Sequence, residues 1–334
     1  MTDAPETSRT PSRLAAGVRG AIAAGLCGAS LIALAGPAVW LLDLIANLAA
    51  QLAVVSLVIG AWWLIRKKPI AAGACVLAGV VALLAVALAA PRRLTLDQST
   101  APDLRVRVLI VNALAQNEDR TVADMILAQD ADIVCLHESP WWLIEELKEG
   151  GRWRETYPYY WLSDRAGPGF LVLLSMWPQR SVTDLRDGAQ FAALGPGRTA
   201  VIDRPAGAFV MSMLHPRSPR SPTRWREGNE MIDRLIERDR DNIRPRGLPL
   251  VVAGDLNTTP TGVRSRWLSE RHGLARAKPV LAAAGTIGPV WPLSIAIDDA
   301  LVPRGTPVTA WRTIDLPGSD HRGVLVEFEL PDRR

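Results

Sequence analysis

PLVVAGDLN, Pro249 to Asn257, is the stretch on which the reading of this chain turns. Leu250, Val251, Val252 and Ala253 form a short apolar run with the composition of a buried strand. Asp255 and Asn257 then put polar side chains immediately beyond it. The same arrangement recurs elsewhere: Arg105 to Val111 is followed by Asn112, Ile133 to Leu136 by His137 and Glu138, and Phe209 to Leu214 by His215. Polar groups at the same end of several strands can meet on one rim and form a cleft.

Further strand patterns at Phe170 to Leu174, Ala300 to Val302 and Val324 to Phe328 alternate with helical ones. The helices are expected at Arg120 to Gln129, Trp141 to Leu147, Trp225 to Arg240 and Val263 to Arg271. Strands that are apolar throughout predict sheets covered by helices, hence an α/β domain. It is expected over residues 104–334, behind a linker at 91–103.

The N-terminal part is of another kind. From Leu14 to Ala90 the only formal charges are Arg19, Asp43, Arg66, Lys67 and Lys68. Three apolar runs, Leu14 to Gly36, Pro37 to Ile65 and Pro69 to Ala90, each reach the roughly 20 residues that cross a bilayer core. They predict a membrane region with three transmembrane helices over residues 14–90 and a lipid bilayer as partner. The arm at residues 1–13 and the Arg66-Lys67-Lys68 turn are basic, whereas Gly36 to Asp43 carries no basic residue. Basic segments stay cytoplasmic, so three crossings predict a multi-pass protein of the cell membrane whose second domain is extracytoplasmic. Asp43, Asn47 and Gln51 recur at helical spacing and read as an interfacial start to the second span.

The formal net charge is only +4, and all but four of the 38 basic residues are arginine, so charge by itself implies no nucleic-acid partner. Cys27 and Cys75 lie in the apolar region and Cys135 in a predicted strand, which implies no disulfide framework.

Five landmarks in order carry a family resemblance: the Asn112-ended strand, Leu136-His137-Glu138, Gly254-Asp255-Leu256-Asn257, Ile297-Asp298 and Ser319-Asp320-His321. Each alone reads as a turn or a helix cap; together the chain from Arg105 to Leu330 resembles the endonuclease/exonuclease/phosphatase superfamily, of deoxyribonuclease I-like type. The resemblance implies a four-layer α/β sandwich, two packed β-sheets flanked by helices, and hydrolysis of a phosphodiester by in-line attack of activated water. It implies Mg²⁺, or Mn²⁺ in its place, held by Glu138 and Asp320 with support from Asn112. His321 falls at the reactive phosphate with Asp298 orienting its ring, Asp255 and Asn257 at the attacking water, and His215 as an assisting histidine. The substrate implied is nucleic acid or, alternatively, a phospholipid or sphingomyelin; a tethered binding protein without turnover is the alternative of another class. Asp299 departs from the family, where His is common. By alternation His137 points away from Glu138 and is expected to pack. Arg217, Arg220, Arg224 and Arg226 form a loop suited to a second phosphate or to solvent.

Overall fold

The computed structural model describes residues 13–36, 38–89, 102–163, 170–184, 197–242, 247–279, 282, 284–290 and 292–331. The expected arm, apart from Arg13, and the linker up to residue 101 lie outside the described residues.

Two sheets of six strands are each built around one parallel pair. In the first, β1 (Arg105–Asn112) runs parallel to β2 (Ile133–Ser139), with β12 (Arg322–Glu329) and β11 (Val308–Asp315) on one side and β4 (Phe170–Ser175) and β3 (Tyr159–Leu162) on the other. In the second, β7 (Phe209–Leu214) runs parallel to β8 (Leu250–Asp255), with β6 (Gly197–Ile202) and β5 (Gln179–Asp184) beyond β7 and β10 (Asp298–Pro303) and β9 (Leu274–Arg276) beyond β8. A parallel pair needs a crossover. Helix α5 (Thr121–Leu127) lies in the first and α8 (Pro222–Asn242) in the second.

Alternation divides each strand between two cores. Val106, Val108 and Ile110 of β1 meet Met211, Val251 and Ala300 of the other sheet. The intervening Leu109 and Val111 pack instead on α5, α6 (Trp141–Glu149) and α7 (Arg152–Thr156), through Val122, Ile126, Leu143 and Trp153. In the second sheet Val252 and Leu301 pack under α8 and α9 (Val263–His272), through Ile232 and Leu268. The order helix, sheet, sheet, helix is the expected four-layer sandwich.

Ahead of it stand α1 (Arg13–Ala35), α2 (Trp40–Ala46), α3 (Ala49–Ile65) and α4 (Pro69–Ala89). Leu14–Ala35 and Pro69–Ala89 are each long and apolar enough to cross a membrane; α2 and α3, bent by 62°, make a third only if counted as one span. The second run is therefore not the continuous helix expected. The break falls at Asn47, whose amide donates to Asp43 O at 2.8 Å, a local bond that competes with helix continuation. Small residues let α3 and α4 approach closely: a methyl on Gly79 would lie 2.8 Å from Leu57 Cγ.

The polar residues of the broken helix do more than begin it. Asp43 is buried, accepting Trp225 Nε1 and Val263 N, both at 2.8 Å. Asn47 Oδ1 accepts Thr259 N at 2.6 Å and the hydroxyls of Thr258 and Thr259. Gln51 Nε2 donates to Ser294 O and Trp40 Nε1 to Pro219 O. Helix α9 begins after Gly262, which has no capping side chain, so Asp43 supplies the acceptor at its positive end. In return Arg266 donates to Ala33 O and Leu34 O in the last turn of α1. The two segments cap each other's helices across more than two hundred residues of chain.

Candidate active site

Strand parity aims the site residues. On β1, Asn112 continues the inward series Val106, Val108, Ile110. His215 continues Met211 and Met213 beyond β7, Asp255 continues Val251 and Ala253, and Asp298 precedes Ala300 and Val302. All four reach the rim of the layer between the sheets. Glu138 has the opposite parity. A bulge in the pairing of β2 with β4 and a φ of 47° at Glu138 turn its side chain to the same rim. His137 stays beneath, fully buried, edge-on to the His215 ring at 5.5 Å, which is the packing role expected. Gly254, at φ 149°, runs so close to Leu214 O and His137 Nε2 that a side chain there would collide with both.

At the rim, Asn112 Nδ2 stands 3.3 Å from Glu138 Oε1 and 3.2 Å from Asp255 Oδ2. His215 Nε2 lies against the same two oxygens, at 3.4 and 3.5 Å. The other oxygen of Asp255 accepts Asn257 N at 2.9 Å, and Asn257 Nδ2 donates to Pro216 O. His321 Nδ1 is 2.9 Å from Asp298 Oδ2, which leaves Nε2 as the ring position open to a substrate. Ligand atoms of Asp255, Asp298 and His321 fall within 4.8 Å of one another. Asp320 is not brought into this group. It is exposed, on a cavity of about 490 Å³ lined also by Ile287, Gly288, Pro289, Ser319 and His321.

Burial disfavours charge on both histidines, but acidic neighbours prevail. Asp298, in contact with the His321 ring, raises it to about 9, and Asp255 raises His215 above the usual histidine range. Burial likewise opposes charge on Asp255, yet its histidine neighbours and the Asn257 amide hold it well below the usual carboxylate range. Near neutrality the site therefore pairs an ionised Asp255 with a cationic His321.

A family model described as the Endonuclease/Exonuclease/phosphatase family matches residues 110–321. The chain belongs to that family. Among solved structures it is similar to an endonuclease/exonuclease/phosphatase from Beutenbergia cavernae, at 22% identity over 68% of this chain and 72% of that one, with a TM-score of 0.50. It is also similar to the catalytic domain of human Nocturnin with bound sulfate, at 18% identity over 67% and 94%, TM-score 0.52. A third is TDP2 of D. rerio complexed with a single-stranded DNA product, at 12% identity over 68% and 99%, TM-score 0.51. These likenesses concern the fold. No curated protein matches the chain.

Members of the endonuclease/exonuclease/phosphatase family commonly use divalent metals, and the donors on this rim fit one. Glu138 and Asp255 are hard oxygen ligands sharing the same two nitrogen donors, and the 29% exposure of the Glu138 side chain leaves room for a partly hydrated ion.

Two residues for which no role was expected, Ser319 and Arg264, brace this endonuclease/exonuclease/phosphatase site. Ser319 Oγ donates to Asn112 O at 2.8 Å and accepts His321 N, tying the His321 loop to β1. Buried Arg264 donates to Leu256 O, Asn257 O and Arg217 O, bracing the loops after β8 and β7 together. Ser319 stands within the Ser319-Asp320-His321 landmark, whereas the only signal of Arg264 is its proximity to Gly254-Asp255-Leu256-Asn257. Asp299, where the family resemblance leads one to expect His, is buried outside the site against Arg276 at 3.6 Å and Trp311 Nε1 at 3.0 Å.

Proposed function

We propose that this family member is a membrane-anchored, divalent-metal-dependent phosphoester hydrolase. The observation that carries the reading is the meeting of Asn112, Glu138, His215, Asp255, Asp298 and His321 on one rim, with the His321 ring 2.9 Å from Asp298. Glu138 and Asp255, with Asn112 in support, would hold the cation, which when bound supplies charge to offset the phosphoryl oxygens. Asp255, ionised, accepts a hydrogen bond from the attacking water, and the Asn257 backbone amide fixes that carboxylate in place. His321, held cationic by Asp298, donates to a phosphoryl oxygen where charge develops, while His215 serves the leaving oxygen. Water adds to phosphorus in line with the departing ester oxygen.

Nucleic acid and phospholipid are the two substrate classes in view. The DNA product bound by the zebrafish neighbour favours the first, and the apolar helices the second. A tethered binding protein without turnover is disfavoured because every expected acid, amide and histidine position is occupied. The Arg66-Lys67-Lys68 turn follows α3, whose other end meets the catalytic domain, so the positive-inside rule puts that domain outside the cell.

The test is turnover of bis(p-nitrophenyl) phosphate by the full chain in detergent. Mg²⁺ or Mn²⁺ is expected to support hydrolysis and a chelator to abolish it. Hydrolysis undiminished by chelator defeats the metal role, and reporter fusions after Gln98 test the topology.

A further inference from the structure

The loops that carry the active site are the loops to which the membrane-proximal helices are bonded. His215 is four residues from Pro219, whose carbonyl accepts Trp40 Nε1 of α2. Asp255 is four residues from Thr259, whose amide and hydroxyl both donate to Asn47 Oδ1. His321 forms a bridge with Ile287, which in turn pairs with Ile295, beside the Ser294 carbonyl that accepts Gln51 of α3. At about 3.3 to 3.6 Å per residue, four residues place each of the first two catalytic groups within roughly 15 Å of a residue bonded to the helices. The turn between Ile287 and Ile295 also lines the cavity at His321. It exposes Val290 and Leu293, and α2 exposes Leu41 on the same junction, so apolar side chains lie in water beside a catalytic mouth. Arg220 and Arg224, next to Pro219 and Trp225 in the docked segment, are exposed as well.

We propose that the active-site mouth lies at the bilayer surface and that the substrate is the phosphoester of a bilayer lipid, taken without leaving the membrane. The proposal rests on the hydrolase and anchoring reading above. Val290, Leu293 and Leu41 enter the lipid interface, and Arg220 and Arg224 meet anionic headgroups. In the reaction the water oxygen bonds to phosphorus, one ester P–O bond breaks, and the leaving alcohol takes up a proton.

The test uses the full chain reconstituted in vesicles of phosphatidylcholine, phosphatidylglycerol, phosphatidic acid and phosphatidylinositol phosphate, with Mg²⁺, and mass spectrometry of the lipids. A single-stranded DNA oligonucleotide and bis(p-nitrophenyl) phosphate are assayed beside them. Lipid turnover above that of the oligonucleotide is expected. Joint Val290→Asp and Leu293→Asp should lower the ratio of lipid to soluble-diester turnover about tenfold or more, as two apolar side chains stop leaving water. Oligonucleotide cleavage with intact lipids, or soluble-diester turnover alone, overturns this proposal and leaves the hydrolase reading standing. An unchanged ratio in the double variant overturns the role given to the mouth. No turnover of any of the three substrates brings down the hydrolase reading itself, and this proposal with it.

Discussion

Two polar clusters meet at the same loops, with Asp255 of one only four residues from Thr259 of the other, and are bonded in opposite ways. On the catalytic rim, Asn112 and His215 share the oxygens of Glu138 and Asp255 through four contacts of 3.2 to 3.5 Å. At the junction with the helices, Asp43 and Asn47 accept their five interdomain donors at 2.6 to 3.1 Å. Acceptors matched closely by fixed donors hold two segments together. Two carboxylates that share the same donors loosely are incomplete without a cation or a phosphate. The contrast separates a cluster built to react from one built to hold.

The sharpest way to break the contrast is His321→Ala. Turnover should fall about a thousandfold, within the range for loss of a positioned acid–base group. Retention of turnover would move the reactive centre off Asp298 and His321. Glu138→Gln should raise the Mg²⁺ concentration for half-maximal rate by about 10- to 100-fold, read from a metal titration. A curve superimposable on the parent's would show that Glu138 holds no metal. Asp43→Ala belongs to the holding cluster and should act on stability: with Val263 N and Trp225 Nε1 unpaired, the loss is about 1–3 kcal/mol, measured by thermal melting in detergent. An unaltered melting curve would mean that the helices do not dock as described. The exposed pair Arg180–Asp203 belongs to neither cluster, and Arg180→Ala should cost below about 1 kcal/mol without changing turnover.

Legibility followed burial. All seven strands expected from apolar runs are present, and each includes or adjoins a buried series. Four of the five strands that were not expected, β3, β5, β9 and β11, are the sheet edges. Edge strands are short or polar because one side meets solvent or a loop, so the apolar signal fades there. The fifth, β6, opens at Gly197 and Arg198 and reads as a turn until its pairing with β7 is known. Among the site residues, Asn112, His215 and Asp255 stood on the right parity, whereas Glu138 reached the rim only through a bulge that no local pattern announces. Asp320 adjoins His321 in sequence but is exposed at the lip of the cavity.

The amino-acid order alone determined the α/β class, the apolar character of residues 14–90 and the identities of the groups at the strand ends, because periodicity and composition act over a few residues. Only the tertiary structure decided that Glu138 turns inward, that the second apolar helix breaks, and that Asp43 and Asn47 belong to the catalytic domain's loops rather than to a free interface. The turning of Glu138 and the placing of Asp43 and Asn47 rest on partners distant in the chain, up to 220 residues in the bond from Val263 to Asp43. A side chain's spacing along its own helix says which face it shares, but not what that face will meet.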